Sequence, residues 1–186
     1  MAGQYPENEF WNFSLKIYGG DGVSRAFINI QDRHQMDVNM LLLGIWFGST
    51  GRGQLSQKQV SDAIEITSIW NQKIVCNLRD VRDRLKERFE FFSDKHTQAM
   101  RSSVLALEIE CENIEHLALA NYLGEMAEGI DKTTAGYFPD VAENIFSYFR
   151  AKKRSITDED LDDLFTILKS VFPEQGPEEI VSILKR

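Results

Sequence analysis

Val38-Asn39-Met40-Leu41-Leu42-Leu43-Gly44-Ile45-Trp46-Phe47-Gly48 decides the fold. The stretch is apolar nearly all round, which places it between other elements and not on a surface. Interrupted by Asn39 and Gly44, it has about half of the roughly 20 residues needed to cross a bilayer, so no membrane span is expected. Asp37 stands where a helix N-cap belongs. A buried helix at the centre of the core follows.

Toward the N-terminus, Asn8 can cap a first helix through about Tyr18, with Phe10, Trp11, Phe13, Leu15, Ile17 and Tyr18 forming a wide apolar surface. Gly19-Gly20 end it. Asp21 can cap a second helix, in which Val23, Phe27 and Ile30 recur at helical spacing before Gln31, Asp32, Arg33 and His34 take over.

Toward the C-terminus, Ser56-x-x-Gln59 has the capping-box spacing and opens a long helix. Val60, Ala63 and Ile64 make its first stripe; Ile74, Leu78, Val81, Leu85 and Phe89 make a second, with a kink or short break expected at Ile69-Trp70-Asn71. After Ser93-Asp94, Met100, Val104, Leu107, Cys111, Ile114, Ala118 and Asn121 recur at four- and three-residue steps. Two such seams joined by a short turn predict an antiparallel helical hairpin. Gly124 to Pro139 loosens into a connection, and three shorter helices begin at Asp140, Thr157 and Pro177. No strand alternation interrupts this series. The expectation is an all-α, compact helical bundle with a long antiparallel hairpin, divided into a core domain at 1–125 and a C-terminal helical extension at 126–186, packed on the core or on a partner.

The chain has 186 residues, with 21 Lys and Arg against 29 Asp and Glu, a formal net charge of −8. That balance makes nucleic acid an unexpected partner. At 42% hydrophobic residues there is material for one real core. Cys76 and Cys111 sit in apolar periodic segments and suggest neither a disulfide framework nor a zinc site, which fits a reducing, cytoplasmic location. The first eight residues lack the basic and apolar regions of a secretory signal.

Glu108, Glu112 and His116 lie at i, i+4, i+8 on one helical face, a spacing that could present ligands to a divalent metal. The di-metal bundle signature Glu-x-x-His is absent, because Asn113 stands three residues before His116. The plainer reading pairs Glu108 and Glu112 with Arg79, Arg82 and Lys86 across the hairpin. No metal site is expected. Gln31, Asp32, Asp37 and Asn39, with His34 nearby, form a second polar cluster between two apolar helices. It could line a pocket with an imidazole near two carboxylates, or simply supply turn and capping chemistry. The glycine runs at 19–22 and 48–53 fit no phosphate-binding motif, no nucleophile elbow or zinc-protease pair is present, and no cofactor is implied. Lys152-Lys153-Arg154 is too short to track a phosphate backbone.

Phe10-Trp11-Asn12-Phe13-Ser14-Leu15-Lys16-Ile17-Tyr18, then Gly22-Val23, Ile30-Gln31-Asp32, Asp37-Val38-Asn39 and Leu41-Leu42-Leu43-Gly44-Ile45-Trp46, form an ordered series. With Leu78-Arg79-x-x-Arg82 and Glu108-x-x-x-Glu112 it resembles a small, all-helical bacterial family catalogued only as a domain of unknown function. The resemblance covers about residues 8–125. Where such relatives show a glycine before the Asp-Val-Asn turn this chain has Gln35-Met36, and the segment from Gly124 onward lies outside the shared pattern. The resemblance implies a helical, cytoplasmic, bacterial protein and carries over no activity.

Missing catalytic motifs, 12 phenylalanines and three tryptophans lead to the expectation of a non-catalytic helical protein acting through protein–protein interaction, with a protein partner or a second copy bound. Trp11, Trp46 and Trp70 are the aromatics to test, core packing being their plainer role. The alternative is a small-molecule or metal-dependent activity in a polar pocket of the core. A weaker alternative is nucleic-acid-linked regulation through Arg79, Arg82, Lys86 and Lys152 to Arg154.

Overall fold

Asp37 starts the central helix: its Oδ1 accepts from the Asn39 amide at 2.9 Å, satisfying one of the donors that a helix N-terminus leaves open. Every residue from Val38 to Gly48 is then buried. The computed structural model describes residue 6, residues 8–123 and residues 134–184. Among them it contains nine α-helices and no strand, so the fold is an all-α bundle. The helices are α1 Glu9–Tyr18, α2 Val23–His34, α3 Val38–Ser49, α4 Gln57–Trp70, α5 Cys76–Arg84, α6 Asp94–Leu123, α7 Thr134–Ala151, α8 Asp158–Val171 and α9 Pro177–Leu184.

Local signals set most boundaries. Asn8 Oδ1 accepts from the amides of Phe10 and Trp11, and the Ser56/Gln59 and Thr157/Asp160 pairs both close as capping boxes. Three boundaries differ from the sequence reading. Asp21 does not cap α2; Gly22 does, at φ +74, a left-handed conformation that costs glycine nothing. Helix α7 begins at Thr134 and not after Asp140, carrying Pro139 in its second turn. The break at residues 69–71 is a π-helical turn, Asn71–Val75, inserted between α4 and α5 without ending the helix. Most of the expected connection, residues 124–133, lies outside the described residues.

Helix α7 lies along α3, its main neighbour. Two glycines permit the approach. A Cβ on Gly44 would meet the Asn144 Cβ at 3.2 Å, and one on Gly48 would meet the Val141 backbone nitrogen at 2.7 Å. Asn144 uses this proximity: its Nδ2 donates to Gly44 O at 3.0 Å and its Oδ1 accepts from the Leu55 amide at 2.6 Å. Phe138, Val141, Ile145, Phe149, Leu164 and Leu168 share one buried core with Phe27, Ile30 and the leucines of α3.

Helix α8 is tied to α2 by charge. Asp160, fully buried, faces His34 Nε2 at 2.7 Å and the Arg33 guanidinium, while Asp163 accepts from Asn29 Nδ2 at 2.9 Å and Arg33 Nη2 at 3.0 Å. The hairpin of α5 and α6 behaves differently. Helix α6 has 30 residues, about 45 Å at 1.5 Å per residue, and only its second half reaches the body. None of residues 76–107 is buried.

Candidate functional site

The two polar clusters, far apart in sequence, meet in one cleft of about 620 Å³ between α1, α2, the start of α3 and the hairpin. Arg79 of α5 joins them. Its Nε donates to Glu108 Oε1 at 3.0 Å, its Nη2 to Glu112 Oε1 at 3.2 Å, and its Nη1 to Gln31 Oε1 at 2.8 Å. Arg82 Nε lies 3.0 Å from Glu108 Oε2, an ion pair without hydrogen-bond alignment. Lys86 pairs at 2.6 Å with Asp83 on its own helix and not with the carboxylates of α6.

Behind this floor, Glu115 is buried against Asp37. Its Oε2 accepts weakly from Asn71 Nδ2 at 3.5 Å, an approach provided by the π-helical turn, and its Oε1 makes no aligned hydrogen bond among the described residues. Burial first, then the adjacent Asp37 carboxylate, raise the Glu115 carboxyl far above the usual range, with Asn71 and Asn39 opposing them, which favours its neutral form. Glu112 is also lifted by burial, to about 7, with Glu108 and Asp37 raising it and Arg79 opposing them. A carboxyl so placed changes charge near neutrality.

His116 closes the inner end. The carbonyl of Glu112 can only accept, so Nδ1, 2.9 Å away, carries the proton, and Nε2 accepts from the Ser14 hydroxyl at 3.0 Å. Burial drops the imidazole to about 4, so it is neutral. Phe10 lies against it with centroids 4.1 Å apart, and Trp11 meets its edge at 5.1 Å. Glu108, Glu112 and His116 do share a face, but both imidazole nitrogens are occupied and Glu108 is held by two arginines. Among the described residues no three His, Cys, Asp or Glu side chains are disposed to hold a metal ion.

Asp32 and Asn39 also line the cleft, Asn39 buried and Asp32 exposed. His34 does not join them; it turns to Asp160 on α8. Trp11 lines the cleft, Trp46 packs on Phe10 at 5.1 Å inside the core, and Trp70 Nε1 donates to Cys111 O at 3.0 Å across the hairpin. Missed by the sequence reading are Ser14 and Tyr18, while Glu115, part of the acidic run Glu108, Glu110, Glu112 and Glu115, is buried and not on the solvated face expected for that run. The available signal was a polar stripe, Glu108, Glu112, Glu115 and His116, running alongside the apolar seam of α6.

The pattern of a family described as protein of unknown function, DUF2390, matches residues 9–119. The chain belongs to that family. The DUF2390 match contains every residue that lines the cleft, from Trp11 to His116, together with the whole exposed hairpin. Helices α7, α8 and α9 lie beyond the DUF2390 segment and line none of the cleft. No curated protein and no solved structure matches the chain.

Proposed function

We propose that the chain is a non-catalytic helical binding protein of the bacterial cytoplasm, which docks through its hairpin, residues 76–107, onto an acidic, apolar-faced helix of another protein. The observation that carries this reading is the absence of any buried residue in that segment although it holds ten large apolar side chains, three of them the phenylalanines of its turn. Phe91 is 89% exposed and Phe92 68%, with Val81, Phe89, Met100 and Leu107 also open to solvent. Two helices packed only on each other leave such a seam half covered, and a third helix would complete it.

Charge supports an acidic partner. The segment holds Arg79, Arg82, Arg84, Lys86, Arg88, Lys95 and Arg101 against Asp80, Asp83, Glu87, Glu90 and Asp94, a basic excess within an acidic chain. Two hairpins from two copies would repel. The acidic helix α8 offers no exposed large apolar side chain to a second copy's hairpin. Nucleic acid fits less well, since Arg79 and Arg82 already face Glu108 and Glu112. The bacterial, cytoplasmic setting rests on the family resemblance and on Cys76 and Cys111 being unpaired.

A photo-crosslinking residue at Phe91 of the full chain, activated in the source cells, tests the proposal when the crosslinked peptides are sequenced. The expected product is a single partner helix rich in Asp and Glu with apolar residues at helical spacing, reduced by the double change Arg84→Glu and Arg88→Glu. Links to a second copy, or no links beyond those from a control position at Glu65, would overturn it.

A further inference from the structure

We infer that the cleft binds a small organic amine, its apolar body between Leu15, Ile28 and Ile109 and its ammonium group on Glu112. This is separate from the hairpin's docking role and stands or falls without it.

The cleft has the volume of a small-molecule site and is half apolar in character. Leu15, Ile28 and Ile109 are 54%, 39% and 41% exposed, and all three line it. Large apolar side chains from three helices left open around one concave space suit a ligand with an apolar body. Trp11 and Tyr18 line the same space and favour a cation near their rings.

The head group follows from what the floor has left over. Arg79 has its donors on Gln31, Glu108 and Glu112, Arg82 is against Glu108, and Lys86 is on Asp83, so an anion at the floor would have to compete with a carboxylate for each, and the cleft's remaining cation, Arg25, stands exposed on the α2 wall. Glu112, in contrast, meets Arg79 with Oε1 only, and its Oε2 makes no hydrogen bond among the described residues. The charged surroundings of Glu112 come from every wall. Arg25 and Asp32 stand on α2, Asp37 at the start of α3, Arg79 and Arg82 on α5, and Glu108 on α6; neutral Tyr18 and His116 complete the enclosure. Burial raises Glu112 most, Arg79 opposes it, and Glu108 and Asp37 add to the rise; a positive charge beside the open Oε2 favours the carboxylate form. An ammonium group supplies it, and Glu112 releases its proton on binding.

Calorimetric titration of the full chain at neutral pH with phenethylamine, 2-phenylethanol and 3-phenylpropionate tests this. The amine should bind saturably, with the alcohol and the acid at least about tenfold weaker, the size of one charge-assisted hydrogen bond. Binding heats in two buffers of different ionisation enthalpy should show proton release that vanishes well above pH 7. Glu112→Gln, which keeps the fold's hydrogen bond from Arg79, should weaken the amine about tenfold and abolish the proton release, while Lys58→Ala, exposed on α4 outside the cleft, should leave both intact. No amine binding, equal binding of all three compounds, or an unaffected Glu112→Gln variant would overturn the inference.

Discussion

Gly48 of α3 faces the backbone of Val141 in α7 with no side chain between them. A Cβ at position 48 would lie 2.7 Å from the Val141 nitrogen and 2.8 Å from its Cα, and backbone cannot step aside as a side-chain end can. Gly48→Ala is therefore expected to destabilise the fold by about 1–3 kcal/mol. Gly44→Ala, whose Cβ would meet Asn144 at 3.2 Å, should cost less. Urea unfolding of both variants checks the order; an equal or reversed ranking would mean that α7 does not sit where it is described.

Arg79 holds Glu108 and Glu112 in the cleft floor, and Glu108 has only 5% of its side chain exposed. Arg79→Met should leave a carboxylate short of its counter-charge and cost about 2–3 kcal/mol, below the value for a wholly buried pair because Arg79 is itself about a quarter exposed. Adding Glu108→Leu should restore part of the loss, since an unpaired buried charge costs more than an apolar replacement. A double-mutant cycle by denaturant unfolding measures the recovery.

Much of this architecture was legible because it depends on local signals. The Asn8, Asp37, Ser56 and Thr157 caps act within one turn, and an apolar helix such as 38–48 has nowhere to go but inside. The cap of α2 was not legible, because Asp21 and Gly22 are both acceptable there and packing against Thr166 of α8 bears on the choice. The cleft was less legible still. Its two halves, around Gln31 and Glu108, are joined by Arg79, a contact across 48 and 29 positions that no periodicity encodes. The seam of α6 misled in one respect: Met100 and Leu107 belong to it and are exposed, while Glu108, Glu115 and His116 are buried. Hydropathy assigns such polar residues to solvent, and only the tertiary structure shows their partners.

Phe91 and Phe92 touch little of their own chain beyond the edge-to-face contact of Phe92 with Phe89, at 6.1 Å. Their joint replacement by serine should change stability by no more than about 0.5 kcal/mol, the usual range for exposed positions. Thermal unfolding measures this. A large loss would show that the turn is packed in solution, and the hairpin would then lack the open apolar end on which its docking role depends.

Glu112 supplies a pH dependence whose sign can be worked out. Its carboxyl titrates near 4.5 when the chain is unfolded and at about 7 in the fold, raised chiefly by burial. Between those values the folded state holds more protons, so its contribution to stability falls as pH rises from about 4.5 to 7 and is level beyond. Glu115 is shifted in the same direction, whereas His116, lowered to about 4 by burial, costs stability as pH falls below 6.5. Comparing wild type with Glu112→Gln cancels most of the contribution from the other two. The variant should gain on wild type across pH 4.5 to 7 by on the order of 3 kcal/mol, then run parallel to it. Denaturant midpoints at half-unit pH intervals give the difference curve; a flat one would mean that Glu112 is ionised in the fold throughout, with Arg79 outweighing burial.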